Sequence, residues 1–137
     1  MKSSSALFFL LLALTACAAA QCPVKTIIIK GHVENPAPNS RVRVQLAYPK
    51  NQPGESAETT VEDSSFTLSI EYLTQSSKPL MRNLHAKCGR SPNSVIITLL
   101  VGDDQKAQLT LDFPRDFRQA DPTAYVPQSE IVLKTAP

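Results

Sequence analysis

In Ser65-Phe66-Thr67-Leu68-Ser69-Ile70-Glu71-Tyr72 every second residue is large and apolar and every other one is polar. Successive side chains on a pleated strand point to opposite faces, so Phe66, Leu68, Ile70 and Tyr72 face a core and the alternate residues face water. A strand with one apolar face needs a second layer over it. The rest of the chain reads as that cover.

Residues 24–33 place Ile27, Ile29, Gly31 and Val33 on one face and Thr26, Ile28, Lys30 and His32 on the other. Pro36, Pro38, Asn35 and Asn39 mark the connection that follows. Residues 41–48 alternate strictly, with Val42, Val44, Leu46 and Tyr48 inward, and residues 49–54 have loop composition. The Thr-rich residues 57–62 predict a short exposed strand, paired through a tight turn at Asp63-Ser64 with the Phe66 strand. Residues 80–88 predict a strand delivering Cys88, with a helix as the alternative because Leu80, Met81 and Leu84 partly fit helical spacing. The near-continuous apolar run 95–101 suits a central strand covered on both faces. Gly102-Asp103-Asp104 signals a hairpin into residues 107–113. Residues 114–127 form the longest irregular stretch, with room for a helical turn at 115–119, and residues 130–134 give a last strand. Short strands at intervals of roughly ten residues predict an all-β fold, a Greek-key-type β-sandwich of seven to eight strands.

The ends set the compartment. Residues 1–20 join a basic start at Lys2 to an apolar run and to Ala18-Ala19-Ala20, the pattern of a cleaved secretory signal peptide. A competing reading takes Leu14-Thr15-Ala16-Cys17 as a bacterial lipobox with Cys17 lipid-modified. The apolar run is shorter than the roughly 20 residues that span a bilayer. Residues 21–137 then form one secreted domain, predicted to be extracellular with no membrane partner. Cys22 and Cys88 remain as a pair in an oxidising compartment and predict one disulfide, with two buried free thiols as the alternative. In the loop-closure picture such a bridge contributes about 4 kcal/mol.

The net charge of +2 is spread along the chain, without the basic stripe and interleaved aromatics expected for nucleic acid. Nucleophilic catalysis needs a base near a Ser or Cys, and the mature chain offers only His32 and His85, both on expected outer strand faces. No Gly-x-Ser-x-Gly motif is present. Closely spaced zinc ligands are also missing, and Asp103-Asp104 reads as a solvated turn rather than a calcium loop. The expectation is therefore a non-enzyme with no catalytic residues, no cofactor and no metal. Binding residues concentrate on connections held by a rigid scaffold. The stretch 114–127 carries Arg115, Asp116, Phe117, Arg118 and Tyr125, a composition that interface hot spots favour. These five are the candidate binding residues, although Phe117 and Tyr125 would equally serve to pin the stretch to the sandwich.

Ile29-Lys30-Gly31-His32-Val33, Ser40-Arg41-Val42-Arg43-Val44-Gln45-Leu46 and residues 58–68 together resemble the opening half of transthyretin-like and carboxypeptidase-regulatory-like sandwich modules. Ser64 stands where such modules carry a turn glycine. Leu84-His85-Ala86-Lys87-Cys88 is faintly similar to a stretch of the secreted transthyretin-like proteins of animals, and the histidine pattern of the related urate-pathway hydrolases is not recognisable. In type, the chain resembles the small secreted proteins of filamentous fungi, a class rich in plant-pathogen effectors. That resemblance implies a secreted virulence factor that suppresses host defence by binding or inhibiting a host extracellular protein, such as a protease. A transthyretin-like carrier of a small ligand or lipid and a cell-wall adhesion module are the alternatives.

Overall fold

The computed structural model describes residues 22–74 and 89–135, which form nine strands in two sheets. They are β1 (Val24–Glu34), β2 (Ser40–Tyr48), β3 (Gln52–Thr60), β4 (Ser65–Leu73), β5 (Ser94–Val101), β6 (Asp104–Asp112), β7 (Phe117–Asp121), β8 (Ala124–Pro127) and β9 (Ile131–Lys134). One sheet runs β3-β2-β5-β6, antiparallel throughout. The other runs β4-β1-β8-β7, with β9 also on β1. The fold is all-β, as the alternation predicts.

Between the sheets lies one core, supplied by the inward residues of both. Phe66, Leu68, Ile70 and Tyr72 are buried while their neighbours on β4 are exposed. Ile27, Ile29 and Val33 of β1 meet Val42, Val44 and Leu46 of β2 and Val95, Ile97 and Leu99 of β5, all at 0–1 % exposure. Full burial of a side chain of this size contributes about 1.5–3 kcal/mol, so these nine positions dominate stability. On the outer side of β5, Leu100 and Thr98 are also buried, flanked by their cross-strand neighbours Arg41 and Gln105, and Arg43 and Gln108. The second cover expected for this strand is thus provided by long polar side chains, whose stems lie over apolar surface while their heads stay wet. Arg41 and Arg43 both pair with Glu58 at 2.8 Å.

Three local expectations are corrected. The Asp63-Ser64 turn exists, with both residues at positive φ (51° and 65°), but it does not join paired strands. Only Glu62 and Ser65 bridge, because Val61 donates to the Ser40 carbonyl while Val33 donates to that of Ser64, drawing β3 and β4 into opposite sheets. Residues 49–51 form the turn their composition predicts, but residues 52–54 already belong to β3. The turn at Pro49–Asn51, with Lys50 and Asn51 at positive φ, leads straight into β3, and Gly54 lies under the Tyr48 ring, where a Cβ would collide with the ring carbons. The turn composition there reflects an edge strand, where proline is tolerated.

The third correction concerns residues 114–127. They are not irregular, and the helical turn expected at 115–119 is replaced by strand from Phe117 onward: a turn at 113–116 leads into the β7–β8 hairpin. The hairpin escapes notice in the sequence because on β7 only Phe117 is buried and the next four residues are exposed. An edge strand of this kind lacks the period of two.

Residues 1–21, 75–88 and 136–137 lie outside the described residues, and with them the expected signal peptide at 1–20, the expected strand at 80–88, His85, Cys17, Cys88 and the Cys22–Cys88 pairing. Cys22 itself lies two residues before β1. Among the described residues no helix is long and apolar enough to cross a membrane.

Candidate functional site

The hairpin is anchored at its root by rings. Phe117 is 5 % exposed, its centroid 5.3 Å from that of Phe113, and Tyr125 meets Phe113 from another side at 5.0 Å, both edge-on. Phe113 also contacts Tyr72 at 6.0 Å. Edge-to-face pairs of this kind add about 0.5–1.5 kcal/mol beyond burial. Lys25 reaches Tyr125 from β1, donating to its hydroxyl at 3.4 Å with the ammonium 5.4 Å from the ring centroid.

At its tip the hairpin is held by Asp121. One carboxylate oxygen accepts the Thr123 N–H at 2.7 Å and the Thr123 hydroxyl at 3.0 Å. These bonds, the backbone one first, hold the Asp121 carboxyl below its ordinary pKa. Gln119 spans the turn, donating to the Pro122 carbonyl at 3.2 Å. Gln119, Ala120, Asp121, Pro122 and Thr123 are all exposed.

The five candidate binding residues therefore have different positions. Phe117 and Tyr125 turn toward the core. Asp116 closes the turn before β7: its carboxylate accepts the Asp112 N–H at 2.8 Å, and its own N–H donates to the Asp112 carbonyl. Arg115 projects outward, its side chain 76 % exposed, and pairs with Asp112 and, at 3.6 Å, with Asp116. Arg118 is exposed, opposite Val126 on β8.

Next to Arg118 lies a feature the sequence reading did not single out, a cleft of about 410 Å³ lined by Ile28, Lys30, Arg118, Val126 and residues 127–130. The sequence signal available for it was Pro127, which cannot donate to a ladder. Gln128 holds the far wall away from β1, because its N–H bonds the Asp116 carbonyl and its side-chain amide bonds the carbonyls of Arg115 and Phe117.

His32 is paired with Glu130 at 2.9 Å, and Glu55 accepts the Tyr48 hydroxyl at 2.7 Å. Among the described residues no group of three or more His, Cys, Asp and Glu is placed to hold a metal ion. The class defined is a two-sheet β-sandwich with an anchored, polar-tipped edge hairpin. No family model, curated protein or solved structure matches the chain.

Proposed function

We propose that this chain is a secreted, non-enzymatic binding protein that engages another extracellular protein through the β7–β8 hairpin. The carrying observation is that the hairpin is fixed at both ends, by the Phe113–Phe117–Tyr125 rings at its root and by the Asp121–Thr123 bonds at its tip, while residues 118–123 stay exposed. A pre-ordered loop loses little conformational freedom on docking. Arg115 and Arg118 supply the residue type that interface hot spots favour.

The effector type of small secreted protein fits this reading, with a host defence protein as partner and a protease as one target whose cleft a rigid hairpin would fill. The transthyretin-like resemblance of the first half belongs to the scaffold of the same proposal.

The test is affinity capture from plant extracellular fluid with the chain from Gln21 onward as bait, beside the same chain carrying Arg115→Ala and Arg118→Ala. A protein retained by the first bait and lost by the second is the expected result. Equal retention by both baits would remove the hairpin from the interface.

A further inference from the structure

We infer that the cleft beside Arg118 is a binding site for a small aliphatic monocarboxylate, sharing Arg118 with the hairpin face proposed above for protein docking. The cleft exists because β1 changes partner along one edge. It pairs in parallel with β8 at Thr26 and Ile27 and with β9 from Gly31 to Glu34, which leaves Ile28, Ile29 and Lys30 between the two ladders.

Alternate residues of a strand bond to alternate neighbours. Val33 donates toward β4 (to the Ser64 carbonyl) and Thr26 toward β8 (to the Thr123 carbonyl), so Thr26, Ile28 and Lys30 direct their backbone groups to the β8–β9 side. The next ladder donor for the Ile28 carbonyl falls at position 127, which is proline and has no N–H. The Ile28 carbonyl and the Lys30 N–H thus open into the gap, outside both ladders.

The outer face over this gap has two chemistries. Ile28 and Val126 are partly exposed and, with Pro127, give an apolar floor. Lys30 and Arg118 stand at its sides, and neither makes an ion pair among the described residues. A guanidinium fork takes a carboxylate through two parallel bonds, and the Lys30 ammonium and N–H supply further donors. Glu130 on the far rim, already paired with His32, adds one negative charge that weighs against a dianion such as phosphate. The volume lies at the small end of ligand sites, room for a short tail over Ile28 and Val126.

The experiment uses amide NMR titration of the chain from Gln21 onward with hexanoate, and with hexylamine and inorganic phosphate as matched probes. Hexanoate is expected to bind saturably with shifts confined to residues 28–30, 118, 126 and 128–130, at least tenfold more tightly than either other probe. Lys30→Ala and Arg118→Ala, both at exposed positions, should each weaken it about tenfold with the remaining spectrum unchanged. Hexylamine binding as well as hexanoate, phosphate binding more tightly, scattered shifts, or unchanged affinity in both variants would each overturn the site. The hairpin proposal is read separately by protein capture: a bait carrying Lys30→Ala alone, which changes the cleft and leaves the hairpin intact, should retain the captured protein as the unchanged chain does.

Discussion

Phe117 and Phe113 meet edge-on with their ring centroids 5.3 Å apart, and this contact roots the exposed hairpin in the core. Phe117→Ala leaves a cavity beside Phe113. A loss of about 3–5 kcal/mol is expected, measured by urea denaturation, with Phe117→Leu losing much less.

Arg115 occupies the same turn but contributes little to stability. Its pairs with Asp112 and Asp116 are solvated, so Arg115→Ala should change the unfolding free energy by no more than about 1 kcal/mol. The same denaturation series checks this against Phe117→Ala.

Those two neighbours show what was legible in the sequence. Phe66 to Tyr72, Val42 to Leu46 and Ile27 to Val33 announce their buried face by alternation, and each lies as that period requires. The hairpin does not, since one inward ring on β7 is too little to set a period, and Phe117 therefore reads equally as anchor or as contact. The sheet switch at Asp63-Ser64 and the parallel pairing of β1 with β8 and β9 depend on partners far along the chain. Local residue order cannot specify them. The cleft follows from that pairing, so in the sequence Lys30 reads as the outer face of an ordinary strand and Val126 as part of an irregular stretch.

Gly31 carries the approach of β9 to β1. A Cβ there would strike the Ile131 carbonyl oxygen and lie 2.8 Å from the Ile131 Cβ and 2.9 Å from Phe66. Backbone has to shift to make room. Gly31→Ala is expected to destabilise by about 1–3 kcal/mol and to raise amide exchange first along β9, read by hydrogen exchange.

Asp121 makes the tip sensitive to acid. Its folded pKa is lowered, chiefly by the Thr123 N–H, so the charged form is favoured in the folded chain. Its contribution is complete above the unfolded value of about 3.9 and is lost as pH falls through the lower folded value. The Thr123 amide shift should follow this titration, and Asp121→Ala should abolish it.

Tyr48 and Tyr72 act at the other end of the pH scale. Burial is the first cause raising both phenols above their ordinary value, and for Tyr48 the bond to Glu55 adds to it. Folding therefore favours the neutral phenol, and stability present below about pH 10 falls as pH rises above it. Tyr72→Phe should reduce this alkaline loss, monitored by denaturation at stepped pH.

The most direct measurement is amide hydrogen exchange of the chain with and without a protein retained in the affinity capture. Added protection is predicted at residues 118–124, with the Arg41–Arg43 face of the opposite sheet unchanged. Protection on that opposite face, with the hairpin exchanging as before, would contradict the hairpin as the docking element.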